Sequence, residues 1–408
     1  DKLQLYNNGE INNSHFNIFY MMKNAFLLCL FVVVLCSCQE KTVSSALRAV
    51  DRSIPIDINK LTEEKVKYDF TEILDSIKVI VLDDSNEEAL FSNIYEVLIT
   101  DKYIYIKDYS QYFTLLIFDH DGKFVSKLPL GQGPGEIQKL EDFDYDEKND
   151  MLIVKQPNNL MFYTSTGEFI KSEDFPFWSL YFACTDEGYL FYDCKKGTRA
   201  ENEGGDNCVL VTDKNFNVRF SAIPIVSDVT LIKHNKYPIH TSDGIVITQP
   251  FSDSIYCVTD TNVSVIYTLE YENKMSRRIV ENDGKPIDYR TFDRHKDQDD
   301  GFHYLGTYYE NQTHQYMTIM KNNMPYDIYR DKTTGNIVGG NSYRYNPYTT
   351  PPVAMPCASY KDYFVSVFYP SKDMKYEATL MSEDDAKRLM ELDEESNLVL
   401  ILYKLKKL

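Results

Sequence analysis

One unit recurs along this chain: a short apolar strand, a polar loop, a second strand, a tight turn and a third strand. The first copy runs Tyr103–Lys107, Leu115–Phe118, the turn Asp119-His120-Asp121-Gly122, then Lys123–Lys127. The second is Leu152–Lys155, Leu160–Tyr163, Thr164–Gly167 and Glu168–Lys171. The third is Tyr189–Cys194, Cys208–Thr212, Asp213–Phe216 and Asn217–Ser221. The fourth is Ile245–Thr248, Ser254–Val258, Thr259–Asn262 and Val263–Leu269. The fifth is Gln315–Met320, Tyr326–Tyr329, Arg330–Gly335 and Asn336–Gly339. The sixth, Tyr363–Phe368 and Leu398–Tyr403, stops one strand short. A further apolar run precedes each copy, such as Leu140–Tyr145 or Ser179–Cys184, giving four strands per unit. Matching turns lie about 45 residues apart in the early copies, the length of a propeller blade. Asp-Gly, Thr-Gly and Asn supply the positive φ of tight turns.

These features predict an all-β, six-bladed β-propeller of four-stranded antiparallel blades. A β-sandwich pair accounts for the strands but not for the turn spacing. The 32 tyrosines and 23 phenylalanines against one tryptophan suit pleated, half-buried surfaces. The incomplete sixth blade leaves a bare edge, which a closed ring cannot tolerate. The β-branched run Ile77–Leu82 is the available partner. It is expected to pair with the C-terminal blade and lock the ring.

The chain ahead of the repeats reads as an export signal. Residues 1–20, polar and Asn-rich, read as upstream sequence or a misplaced start, with Met21 or Met22 as initiator. Residues 21–37 form a lipoprotein signal peptide: Lys23, then the apolar run Ala25–Leu35, about half the ~20 residues of a membrane span. Leu35-Cys36-Ser37-Cys38 resembles a bacterial lipobox, with Cys38 as the lipid acceptor. A plain signal peptide with incidental cysteines is the alternative. Residues 38–55 read as a tether and 56–408 as the propeller. The expected location is the cell envelope, lipid-anchored, on an outer-membrane leaflet facing the periplasm or the cell surface. The membrane partner is reached through Cys38. The formal net charge of −19 repels phosphate backbones and excludes nucleic acid as a partner.

Gly131-Gln132-Gly133-Pro134-Gly135-Glu136 closes the link after the first blade. Together with Asp253-Ser254-Ile255-Tyr256 and the terminal run Leu398–Lys404, it resembles six-bladed β-propeller lipoproteins related in fold to NHL-repeat propellers. The resemblance covers about residues 50–408 and implies fold and export; it assigns no activity.

Candidate chemistry is sparse. Gly131, Gly133, Pro134, Gly135 and Glu136 lack the Lys-Ser/Thr of a phosphate loop. They read as a tight blade link in which Glu136 bonds backbone amides. Asp119–Gly122 and Asp144-Tyr145-Asp146 are rich in carboxylates but lack EF-hand spacing, and both read as turns. His234, His240, His295, His303 and His314 read as surface histidines, without metal-ligand spacing. Cys194 and Cys208 flank a polar loop and read as buried free thiols; a disulfide across its base is the alternative. No nucleophile elbow, metal motif or cofactor motif occurs. Ser382–Ser396 reads as a helix capped by Ser382, with Ala386, Leu389 and Met390 on one apolar face.

Alternating strand direction puts the long segments, Pro129–Gln138, Lys195–Asn207, Tyr271–Gly301, Asn341–Pro352 and Tyr369–Ser396, on one face of the ring. Long loops on a rigid scaffold carry binding sites. The candidate ligand contacts are Trp178, Arg277, Arg290, His295, Tyr343 and Tyr345, with solvated loops and interblade packing as the bland alternatives. The leading reading is a non-catalytic module that binds a glycan, peptide or protein through this loop-rich face. A hydrolase or lyase with carboxylates around the channel, and a structural subunit of an outer-membrane assembly, are the alternatives. If Cys38 carries the lipid, Cys38→Ser abolishes incorporation of labelled fatty acid and releases the protein from the membrane fraction; retained labelling sends the acceptor elsewhere.

Overall fold

The computed structural model describes residues 53–62, 69–108, 114–193, 205–226, 238–275, 301–322, 324–341, 353, 355–372 and 380–408. Cys38 and the whole expected signal segment lie outside the described residues, as does Cys194. Among the described residues no helix is long and apolar enough to cross a membrane.

Six sheets make up the propeller. Blade one is β3 (Ile94–Ile99), β4 (Ile104–Asp108), β5 (Leu115–Phe118) and β6 (Phe124–Lys127). Blade two is β7 (Asp142–Asp146), β8 (Met151–Lys155), β9 (Asn159–Thr164) and β10 (Phe169–Asp174). Blade three is β11 (Tyr181–Cys184), β12 (Gly188–Tyr192), β13 (Asn207–Asp213) and β14 (Val218–Pro224). Blade four is β15 (Ile239–Thr241), β16 (Gly244–Ile247), β17 (Ser254–Val258) and β18 (Val263–Glu270). Blade five is β19 (His303–Glu310), β20 (His314–Lys321), β21 (Met324–Asp331) and β22 (Ile337–Asn341). Blade six is β23 (Ala358–Tyr360), β24 (Tyr363–Phe368) and β25 (Val399–Leu405). Its outer strand comes from the other end of the folded region: β2 (Leu74–Val81) pairs antiparallel with β25, Val79 opposite Ile401. The expected closure by Ile77–Leu82 is what the ring uses.

The apolar side chains form six clusters, one at each interface between neighbouring blades. Both faces of a blade are therefore buried, which explains the near-continuous burial of strands such as Ile104–Asp108 and Gly188–Tyr192. The clusters beside β2 are representative. Ile77 and Val79 pack toward Tyr316, Tyr329 and Phe364, while Ile80 and Leu82 join Ile104, Leu116 and Leu400. Successive residues of the closing strand thus seal opposite interfaces, as a period of two requires.

The turns between third and fourth strands share one device. The residue leaving the third strand is Asp119, Thr164, Asp213, Thr259 or Asp331, and its side-chain oxygen accepts backbone N–H groups two to four residues on. Gly122 sits in this turn at φ +81°. In the third turn Phe216, rather than an Asn, takes the left-handed position at φ +61°. Its ring stacks on Tyr189 at 5.4 Å, and that packing compensates the backbone strain.

Two features go beyond the sequence expectation. A strand β1 (Ile54–Asp57) lies parallel to β18 and makes blade four five-stranded. Ile56 and Ile58 follow it into the interface of blades four and five. A one-turn helix, α1 (Phe70–Ile73), then sets Phe70 against Tyr329 and Tyr403 at 5.5 and 5.6 Å, bracing blades five and six. The N-terminal segment therefore braces the seam as well as closing it.

The C-terminal helix α2 is shorter than expected, Glu383–Met390, with the Ser382 hydroxyl accepting the Asp385 N–H at 3.0 Å. Asp393 ends it by taking Glu395 N–H into a new turn. Ala386 and Leu389 are buried, but Met390, the last residue of the helix, is 59% exposed. Cys184, Cys208 and Cys257 are buried. The alternative Cys194–Cys208 cross-link involves a residue outside the described set. Burial pushes the Cys184 thiol well up, Cys257 to about 11 and Cys357 to about 12.

Two outcomes follow. A Cβ on Gly122 would fall 2.0 Å from the carbonyl oxygen of Val81 in the closing strand, whereas one on Gly335 meets nothing nearer than 3.7 Å. Gly122→Ala should cost at least about 2 kcal/mol in denaturant unfolding and Gly335→Ala about 1 kcal/mol, the φ strain alone. Equal losses would contradict the close approach. At pH 8 the thiols of Cys184, Cys257 and Cys357 stay protonated, so native protein should resist thiol labelling there. Peptide mapping should find them labelled only after unfolding returns them to about 8.5.

Candidate functional site

The six innermost strands run in the same sense, so their C-terminal ends and the turns that follow converge on one end of the axis. There they line a cavity of about 640 Å³. Every blade contributes: Ile99–Asp101, Asp144–Lys148, Cys184–Asp186, Pro238–Ser242, Tyr309–Gln312 and Cys357–Lys361. The mouth is framed by first-to-second-strand turns. It therefore lies opposite the face that carries the long loops.

Blade two builds the most buried part of the wall. β7 is buried at all five residues, so Asp144-Tyr145-Asp146 is an inner strand rather than the expected turn. Its carboxylates have a structural task. The inner strand of blade three has a free edge toward the axis, and its N–H groups need acceptors. Asp142 Oδ2 accepts Phe182 N–H at 2.8 Å, and Asp144 Oδ2 accepts Cys184 N–H at 2.7 Å. Burial alone would raise the Asp146 carboxyl, but Asn149 and the Lys214 ammonium at 3.0 Å hold it below its ordinary value.

Blade four builds the accessible wall. β15 is partly exposed along all three residues. His240, at its centre, crosses the cavity and places Nε2 2.7 Å from Asp144 Oδ2. The Asp144 side chain is 1% exposed and that of His240 42%. One carboxylate oxygen thus joins blades two, three and four and fixes the imidazole.

Two further charge pairs line the ring. The Lys361 ammonium lies 3.0 Å from Asp101 Oδ1 and 4.8 Å from the ring centre of Tyr360, whose hydroxyl also donates to Asp101. Lys361 and Tyr360 together hold the Asp101 carboxyl below its ordinary value. Lys332 pairs with Glu310 at 2.5 Å, and Glu310 also accepts from Tyr308 and Gln315. Gln315 is held in turn by Arg330 at 2.8 Å. The cavity wall thus sets these bonded polar groups among apolar residues such as Ile99, Pro238 and Ala358, an arrangement that can orient a polar ligand. Among the described residues no His/Cys/Asp/Glu cluster could hold a metal ion.

The sequence-derived candidates distribute differently. Trp178 is half-buried in the link between blades two and three, beside buried Phe175 and Phe177. Arg277, Arg290, His295, Tyr343 and Tyr345 lie outside the described residues. His303 and His314 are not surface histidines: they are 6% and 2% exposed, drawn inside at the two ends of the blade-five hairpin. In the Gly131–Glu136 link, Glu136 Oε2 accepts Gly133 N–H at 2.8 Å and Gly131 N donates to Ile137 O. A Cβ on Gly131 would strike that carboxylate at 1.9 Å, and one on Gly135 would strike Phe169 at 2.8 Å.

A repeated link device had no sequence reading. The residue leaving the second strand, Asp108, Gln156 or Gln249, accepts N–H groups of the incoming blade link: Ser92 and Asn93, Gln138 and Lys139, or Val226. His240, Tyr360 and Lys361 were also missed. Their signal is positional, since they lie in first strands or the turns directly after them, where side chains meet the axis.

Comparison with known proteins agrees with this architecture. A Bacteroides fragilis protein, described by inference as exported, superposes with a TM-score of 0.70 at 18% identity, covering 87% of this chain and 100% of its own. BamB from Moraxella catarrhalis aligns at a TM-score of 0.37 and 10% identity, over 72% of each chain. The WD40 repeats of RRP9 align at 0.38 and 8%, over 82% of this chain and 99% of theirs. No curated protein matches the chain. A family model spans residues 53–404, from the first strand to the last, and the chain belongs to that family, described as Domain of unknown function (DUF4934).

Proposed function

We propose that this protein is an exported, lipid-anchored propeller of the cell envelope that binds a small polar ligand in its axial cavity. The carrying observation is the cavity wall itself: six blades deliver fixed polar side chains to one ~640 Å³ space, within the ~300–1,000 Å³ usual for ligand sites. The exported Bacteroides fragilis neighbour and the lipobox-like Leu35–Cys38 segment support placement outside the cytoplasm. The ligand is a glycan, a peptide or a projecting segment of a partner protein. This moves the binding surface from the loop-rich face to the short-turn face.

A second reading is favoured by one geometry. The buried Asp144 bonded to a half-exposed His240 is an arrangement that can hold an imidazole as a general base. A hydrolase or lyase would use it on a ligand in the same cavity. His240→Gln would then abolish turnover of a bound ligand, whereas a binding module shows no turnover to lose.

Both readings need access through the mouth. Ser242 is an exposed turn residue lining it, and Asn158 is an exposed loop residue on the opposite face. On an array of oligosaccharides and peptides, Ser242→Trp should erase the wild-type signals while Asn158→Trp keeps them, with unchanged thermal midpoints for both. The reverse pattern would return the function to the loop-rich face.

A further inference from the structure

We propose that the axial cavity selects saccharides by charge: it admits neutral or amine-bearing sugars and rejects uronates and sulfated or phosphorylated glycans. The inference rests on the ligand-binding reading above and deepens it.

The described wall carries six carboxylates: Asp101, Asp144, Asp146, Glu147, Asp186 and Glu310. Against them stand Lys148, Lys332, Lys361 and the imidazole of His240. Most of the positive charge is committed. Lys361 serves Asp101, Lys332 serves Glu310 and His240 serves Asp144. Lys148 is exposed and the Lys361–Asp101 pair is 54% and 81% exposed, so there an entering anion is opposed by the excess of carboxylates, while drawing on Lys332 or His240 would strand a buried one. The side chains left behind are 9% exposed at Glu310 and 1% at Asp144, and stranding a buried carboxylate costs more than a surface contact returns. Glu147 and Asp186, exposed on adjoining turns of blades two and three, add negative potential at the mouth.

A sugar hydroxyl meets no such obstacle. It both donates and accepts, so it can bond a carboxylate and an ammonium without breaking their pairing. An amine on the sugar gains from Glu147 and Asp186.

The test is titration of the full-length protein with three β-1,4-linked trisaccharides that differ in one substituent: glucose, glucosamine and glucuronate trimers. The glucose and glucosamine trimers should bind, and the glucuronate trimer at least ~10-fold more weakly, with the gap narrowing from about 20 to about 300 mM salt. Glu147→Lys with Asp186→Lys changes two exposed residues outside the core and should bring the glucuronate trimer to within ~3-fold of the neutral one. Equal or tighter binding of glucuronate to wild type, or unaltered selectivity in the double variant, overturns the proposal. Failure of all three trimers overturns it too. The ligand-binding reading survives that failure if Ser242→Trp still abolishes peptide signals on the array, and falls if Ser242→Trp abolishes none.

Discussion

The pairing of Leu74–Val81 with Val399–Leu405 is the constraint on which the rest of this structure depends. Five blades are built from consecutive chain, and each buries its faces only against its neighbours. A ring with one open edge would expose a strand ladder and two half-made apolar interfaces. The closing strand removes all three defects together. Its alternate residues enter the five–six and six–one clusters, and its backbone fills the last ladder. Gly122 and Asp83 extend the junction into blade one through the 2.8 Å bond from Asp83 N to Gly122 O. The parallel strand Ile54–Asp57 and the ring of Phe70 then spread the closure over blades four to six.

Closure also creates the site. The inner strands converge only because the ring is complete, and their free edges need acceptors once they are drawn together. Asp142 and Asp144 answer that need for blade three. The same Asp144 oxygen then fixes His240 from across the axis. Charges required for packing thus become the polar lining of a cavity.

Much of the fold was legible because its signals are local. A strand with alternating apolar side chains, followed by Asp or Thr and a glycine, betrays itself in any single copy, and six copies reinforce it. The closing strand was legible by subtraction, from a missing partner in blade six. The strand Ile54–Asp57 was not, because four residues containing Pro55 carry no periodicity and its parallel partner lies over 200 residues away. Asp144–Asp146 was misread as a turn because carboxylates in a short segment resemble turn chemistry; here Asp144 faces a neighbouring strand edge. Loop length points to the end of the axis opposite the described cavity. It records where insertion is tolerated, whereas the cavity depends on residues of the first strands and the turns that follow them, such as His240 and Lys361.

Amide hydrogen exchange, resolved by peptide, tests the closure most directly. Leu74–Val81 and Val399–Leu405 should exchange together, among the slowest segments of the chain and with a common dependence on denaturant, because opening either strand opens the ring. Rapid exchange of Leu74–Val81 while Val399–Leu405 stays protected would show that the last blade is completed some other way, and the account of both ring and cavity would fail.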